Sequence, residues 1–140
     1  MFLNKKFTKV MELGLNEVSI KAYGEREAEK KVLADGSVMD FSAFLYINIE
    51  TDDGAYAQVR FYDNEADGAR LNASLNAINS QLETALVGED VGSILEDLKT
   101  KGTKFKVVLK ANPSKDDADK VYTNFYFDKQ TISNYSRRAR

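Results

Sequence analysis

The chain has 140 residues, of which 43% are hydrophobic and 30% charged, with a net charge of −2 at neutral pH. These values predict one folded domain with a core of its own, and they exclude a disordered chain. The sequence has no cysteine and no histidine, which excludes disulfides and cysteine-based zinc sites and removes the commonest general base.

The missing residue types argue against an enzyme, and we therefore expect a non-enzymatic protein with no cofactor and no bound metal. No run of the sequence approaches the roughly 18 apolar residues of a transmembrane helix. The first ten residues lack the apolar segment of a secretory signal. We expect an intracellular protein that works in the cytoplasm without a membrane partner.

Residues 1–9 are polar and basic and predict an N-terminal arm. An apolar alternation then predicts a first strand over roughly residues 10–23, and its change of phase at Gly14 and Asn16 indicates a bulge or bend. Residues 24–37 are charged and end in Asp-Gly-Ser. This composition predicts a long exposed connection between the first and second strands.

Residues 38–62 predict two strands joined at Asp52-Asp53-Gly54, because alternation of period two indicates half-buried strands and Asp-Gly indicates a tight hairpin. One face is aliphatic and predicts core: Met39, Phe41, Ala43, Leu45, Ile47, Ile49, Ala57, Val59 and Phe61. The other face mixes aromatic rings with a cation and polar groups: Asp40, Ser42, Phe44, Tyr46, Asn48, Tyr56, Gln58, Arg60 and Tyr62.

Asn64 predicts the N-cap of a helix with an apolar stripe, which we expect to end at Gly88. The stripe consists of Leu71, Leu75, Ile78, Leu82 and Leu86. A second short helix is predicted at about residues 91–100, closed by Gly102. Both helical segments fall between the third and fourth predicted strands.

Residues 103–111 predict the fourth strand, residues 112–120 a loop, and residues 121–132 the last strand. The polar side of the fourth strand carries Lys104, Lys106, Val108 and Lys110, and that of the fifth carries Tyr122 and Tyr126. The chain ends in basic residues. We therefore predict three segments: a basic arm at 1–9, a folded domain at 10–132 and a basic tail at 133–140.

The order of elements is typical of a mainly β protein with an OB-fold-like five-stranded Greek-key barrel, in which a helix separates strands three and four. A bent first strand shared by both halves of the barrel fits this arrangement. The alternative is an α+β sandwich with a helix packed on one face of an open antiparallel sheet.

The chain resembles the small single-stranded-DNA-binding proteins of bacteriophages and mobile elements over about residues 10–132. The resemblance rests on the element order, on the hairpin SAFLYINIETDDGAYAQVRFYD and on the closing strand pair KFKVVLKANPSKDDADKVYTNFYFDK. It implies a role in DNA replication or recombination in a bacterial host. The chain departs from the cellular members of that class, because its end, SRRAR, lacks their Gly/Pro-rich acidic tail.

We therefore expect single-stranded DNA to bind by base stacking on aromatic rings and by contacts from Lys and Arg to phosphates. The expected partners are single-stranded DNA, replication or recombination proteins, and further copies of the chain. The predicted nucleic-acid-binding residues are Phe44, Tyr46, Tyr56, Arg60, Tyr62, Lys104, Lys106, Lys110, Tyr122 and Tyr126. The loops at 24–37 and 112–120 would flank this site.

A structural explanation of the same residues stays open. Aromatic residues are favoured in strands, and cross-strand aromatic pairs stabilise sheets. Lysines on the fourth strand would discourage edge-to-edge aggregation. The alternative function is a structural or protein-interaction module, a virion or conjugation component, which would use the aromatic sheet face as its interface.

Overall fold

The computed structural model describes residues 3–4, 7–113 and 121–138. Over these ranges the protein is mainly β, with eight strands and three helices. The strands are β1 (Lys9–Val10), β2 (Gly14–Arg26), β3 (Glu29–Val32), β4 (Val38–Phe41), β5 (Phe44–Glu50), β6 (Ala55–Tyr62), β7 (Phe105–Pro113) and β8 (Val121–Tyr126). The helices are α1 (Glu65–Gln81), α2 (Val91–Lys101) and α3 (Lys129–Arg138).

Six strands form one curled mixed sheet in the order β1-β6-β5-β2-β7-β8, and β3 pairs with β4 in a separate hairpin. Only the pairing of β1 with β6 is parallel among these described strands. Strands β2, β5, β6 and β7 form a Greek key, since the fourth returns to lie beside the first. Both α1 and α2 lie between β6 and β7, in the connection predicted to be helical.

Strand β2 belongs to both halves of the sheet. Its first part, Gly14–Val18, pairs with β7, and its second part, Ser19–Arg26, pairs with β5. The pairing register shifts between Ile20 and Ala22, so the predicted bend is present but lies further along the strand. The strand also begins at Gly14 rather than at residue 10, because the preceding residues cross to β6 and form β1.

The segment predicted as a long connection is exposed as expected, but it is not an irregular loop, because it contains β3 and the turn of a β-hairpin. The turn of this hairpin lies at Asp35-Gly36, where Gly36 has φ of 84° and the Asp35 carboxylate accepts the N–H of Ser37 at 3.0 Å. We call β3 and β4 together the arm. Every residue of the arm is exposed.

Two residues of the predicted core therefore lie at the surface, because the predicted second strand breaks between β4 and β5. Met39 is 45% exposed and Phe41 is 43% exposed. These two residues do alternate with polar residues. However, none of the described strands forms a layer that covers the arm. In contrast, the alternating residues Ile47 and Ile49 of β5 and Val59 of β6 are buried as predicted.

Helices α1 and α2 cover the core face of the sheet. Asn64 caps α1 by accepting the N–H of Asp67 at 2.8 Å, and Gly102 closes α2 in a left-handed conformation, both as predicted. Helix α1 ends at Gln81, so the predicted end at Gly88 is wrong. The buried helical residues that contribute to the core are Leu75, Ile78, Leu95 and Leu98.

The last predicted strand ends early, because residues 129–138 form α3. The Asp128 carboxylate accepts the N–H of Thr131 at 2.9 Å and thereby starts this helix. Helix α3 packs on β7 and β2. Val108 of β7, predicted on the polar side, and Ile132 of α3 are both buried, yet neither belongs to the main core cluster. They form a second, smaller apolar layer.

Some predictions fall outside the described residues. These are the positions of Lys5 and Lys6 in the basic arm, most of the loop at 112–120, and Arg140 at the chain end. Within the described part of the chain, no helix is long and apolar enough to cross a membrane.

Candidate nucleic-acid interface

A cleft of about 500 Å³ lies between the arm and the face of β5 and β6 that points away from the main core. We call that face the outer face. The volume is within the range of sites that hold small organic ligands. The cleft is lined by Arg26, Glu27, Glu29, Lys31, Phe41, Ser42, Phe44, Tyr46, Gln58 and Arg60.

The pairing of β5 with β6 places rings and a cation side by side on the outer face, and all of these except Tyr62 line the cleft. Phe44 lies opposite Tyr62, and Tyr46 lies opposite Arg60. Since opposite residues of an antiparallel pair share a face, all four side chains stand on the outer face. The ring centroids of Phe44 and Tyr62 are 5.6 Å apart, and the guanidinium carbon of Arg60 is 4.7 Å from the Phe44 centroid. This is a partly exposed aromatic surface with a cation at its centre.

Gly24 allows Tyr46 to lie down across β2. The two residues are directly opposite in the pairing of β2 with β5. A Cβ atom built on Gly24 would be 2.5 Å from the Tyr46 hydroxyl oxygen and 2.7 Å from its Cζ atom. The glycine therefore leaves the space that the Tyr46 ring occupies on the floor of the cleft.

We expect Gly24→Ala to tilt the Tyr46 ring away from β2. Under the DNA-binding role expected from the sequence, this change should weaken binding of a single strand roughly fivefold, equivalent to about 1 kcal/mol, the low end of one stacked ring. Fluorescence anisotropy with labelled oligo-dT measures this change. Gly68→Ala is the matched control, because a Cβ there meets nothing within 4 Å. If the Gly24→Ala variant bound oligo-dT as tightly as the parent, the orientation of the Tyr46 ring would not contribute to binding.

A line of polar side chains holds Arg60 in place. Its Nε donates to the Gln58 side-chain oxygen at 2.7 Å, and the Gln58 amide nitrogen donates to the Asn48 oxygen at 2.9 Å. The Tyr56 hydroxyl donates to the same Asn48 oxygen at 3.4 Å. Because these bonds restrain the side chain, Arg60 needs little further ordering to meet an anion above the rings.

The arm supplies the second wall of the cleft and adds residues that were not predicted to belong to the site. The ammonium nitrogen of Lys31 is 5.4 Å from the centroid of Phe41, a cation–π contact like that of Arg60. Three cationic side chains line the cleft against two carboxylates, so a weak positive charge prevails. The Asp-Gly turn flanked by two alternating runs was the available signal for this wall.

The remaining predicted site residues lie elsewhere. Lys106 and Lys110 stand on β7, and Tyr122 and Tyr126 stand on β8, with β2 between them and the cleft. Lys106 lies opposite Glu17, and the ammonium of Lys110 is 5.2 Å from the Tyr126 centroid. Of the predicted set, the structure brings together Phe44, Tyr46, Arg60 and Tyr62, places Tyr56 at the far end of the same face, and separates the other five.

Lys104 is engaged by the turn between β5 and β6. Its ammonium donates to the Asp52 carboxylate at 2.6 Å, and this hydrogen bond raises the pKa of Lys104 above its ordinary value. The neighbouring Asp53 accepts from Lys9 of β1 at 2.6 Å, which lowers the pKa of Asp53 to about 2. These two ion pairs link the turn to β1 and to the residue before β7, and one of them occupies a lysine that was predicted to contact phosphate.

The described residues include no group of three or more carboxylates that could hold a metal ion. No protein-family model matches the chain, and no curated protein matches it.

Proposed function

We propose that this protein binds single-stranded DNA without catalysing a reaction, and that its fold is an OB-fold-like, partly open Greek-key barrel. The fold proposal is supported by the five principal strands β2, β5, β6, β7 and β8, by the bend in β2, and by helices in the connection after β6. Such barrels bind oligonucleotides on the face of their second and third strands, flanked by the loop after the first.

One observation carries the functional proposal: the cleft lies on β5 and β6, the second and third principal strands, and the arm that borders it connects the first and second. The rings of Phe44 and Tyr46 offer flat apolar surfaces to bases, and each stacked base contributes roughly 1–3 kcal/mol. Arg60, Arg26 and Lys31 offer charges to phosphates. Bases paired within a duplex cannot reach such rings, so the surface favours single strands.

The same proposal includes a biological setting. It is supported by the resemblance of the hairpin and the closing strands to single-stranded-DNA-binding proteins of bacteriophages and mobile elements. We infer a role in replication or recombination of a phage or mobile element, in the cytoplasm of a bacterial host. One small cleft with three cations binds weakly, and several copies on one strand would raise the overall affinity.

The test is a fluorescence-anisotropy titration of the full chain with labelled oligo-dT and with a matched duplex, at low and moderate salt. We expect clear preference for the single strand, and affinity that falls with salt at a slope of about −0.7 for each neutralised phosphate. The Arg60→Gln variant should bind more weakly and show a smaller slope. Absence of binding at low salt would overturn the proposal.

A second candidate is a protein-interaction module that uses the same cleft. Glu27 and Glu29 favour it, because these carboxylates line the cleft beside the arginines and repel a polyanion. Under this alternative the Glu27→Gln/Glu29→Gln variant would leave binding of oligo-dT negligible. Under the proposed function, the same variant should bind oligo-dT more tightly than the parent.

A further inference from the structure

The two edges of the six-stranded sheet differ in how many of their backbone N–H and C=O groups are hydrogen-bonded. At one edge, the start of β6 pairs with β1 at Ala55 and Tyr56. Further along, the Arg70 guanidinium donates to the Arg60 carbonyl at 2.6 Å, and the Asp67 carboxylate accepts the Tyr62 N–H at 2.7 Å. The backbone groups of this edge are therefore largely occupied, as in proteins that prevent edge-to-edge pairing.

The opposite edge is β8, which pairs with β7 and with no other strand among the described elements. No hydrogen bond from another described residue reaches the outer backbone groups of residues 121–126. Its first four residues are exposed, with Val121 at 63% and Tyr122 at 57%. The helices do not cover this edge either, since α3 packs on β7 and β2 and α1 packs on β6 and β7.

The composition of β8 lacks the usual protection of an exposed edge. Its sequence, VYTNFY, contains no charge, no proline and no glycine, whereas protected edges carry lysine, proline or a bulge. A row of unpaired N–H and C=O groups is a template for pairing with another extended strand. From this unprotected edge we infer that β8 pairs with β8 of a second copy of the chain and joins two sheets across a twofold axis.

The strand is complementary to itself in this pairing. An antiparallel twofold pairing through Asn124 sets Tyr122 opposite Tyr126 of the second copy, and Thr123 opposite Phe125, on matching faces of the joined sheet. Cross-strand aromatic pairs of this kind stabilise sheets. Because all six residues are neutral, no like charges meet at the axis. A charged edge strand would be repelled by its own copy, so the neutrality of β8 favours a second copy as its occupant.

The test is the mass of the nucleic-acid-free full chain, measured by sedimentation velocity from low micromolar to high micromolar concentration. We expect a reversible shift from the monomer mass of 15.7 kDa to twice that value. Hydrogen exchange should show protection that rises with concentration in residues 121–126. This association does not depend on the proposed function, since no DNA is present.

The variant Asn124→Lys places two like charges face to face at the axis, and we expect it to weaken dimerisation at least about tenfold. Asn76→Lys makes the same chemical change on the exposed side of α1 and should leave the dimer unaffected. Circular dichroism checks that both variants fold. A mass that stays monomeric throughout, a dimer unchanged by Asn124→Lys, or protection confined to β5 and β6 would each overturn the inference.

Discussion

Removing the rings of Phe44 and Tyr46 together is expected to weaken single-stranded DNA binding by roughly 30-fold or more, because each stacked base contributes about 1–3 kcal/mol. Both rings are half-buried on the outer face, away from the main core. The double alanine variant should therefore keep the fold of the parent. Anisotropy titration measures the affinity, and a thermal melt followed by circular dichroism measures the stability.

Phe7→Ala is the matched control for this double variant, because Phe7 is an aromatic residue that is 87% exposed and lies outside the cleft. Removal of the Phe7 ring should leave the affinity for oligo-dT close to that of the parent. A second comparison uses Tyr122→Ala, which tests whether the separate group on β8 also contacts DNA. If the double variant binds like the parent while Tyr122→Ala does not, the interface lies on the β7–β8 side and the assignment of the cleft is wrong.

Excising the arm should abolish the cleft while leaving the fold intact. Arg26, the last residue of β2, is paired with Phe44, the first residue of β5, so a two-residue Asn-Gly turn can join these strands directly in place of residues 27–43. None of residues 27–43 is buried, so the excision removes no core residue, although it removes the Ala43 carbonyl that accepts the Asp63 N–H at 3.0 Å. The excision removes Lys31 and Phe41 from the site, and we expect affinity for oligo-dT to fall at least about tenfold, or about 1.4 kcal/mol.

The control for the excision keeps the arm and changes its tip, with Val32→Thr and Val38→Thr as exposed, uncharged substitutions that do not line the cleft. These should retain affinity. Should the excised protein bind oligo-dT as tightly as the parent, the arm is not a wall of the binding site, and stacking on β5 and β6 alone would account for affinity. A large drop in melting temperature would instead show that the arm supports the fold.

The residues on the outer face of the candidate site could be predicted from the sequence. The cleft that this face forms with the arm could not. Alternation over residues 44–50 and 55–62 correctly separated Ile47, Ile49 and Val59 from Phe44, Tyr46 and Arg60, because side-chain direction in a strand has a period of two residues. The register that puts Arg60 beside the Phe44 ring follows from the tight turn at Asp53-Gly54. These are local properties, and a few neighbouring residues determine them.

The errors have a common physical origin. Alternation in β4 predicted a buried face for Met39 and Phe41, but burial requires a second layer, and the described structure places none there. Likewise, the last predicted strand continued to residue 132, whereas Asp128 caps a helix whose Ile132 packs in a small second layer. In both cases the alternating pattern was compatible with two outcomes. Features outside that pattern decided between them: the lack of a covering layer over β4, and the cap at Asp128 with the packing of α3 on β7 and β2.

The amino-acid sequence by itself determined the main strands, the two central helices with the caps at Asn64 and Gly102, and the aromatic face of β5 and β6. It did so because these features depend on backbone preferences and side-chain alternation over a few residues. Only the tertiary structure decided that the arm stands beside that face and forms a cleft, that Gly24 leaves room for Tyr46, and that the predicted lysines lie on another part of the sheet. These features depend on contacts between residues far apart in the chain, which no local pattern specifies.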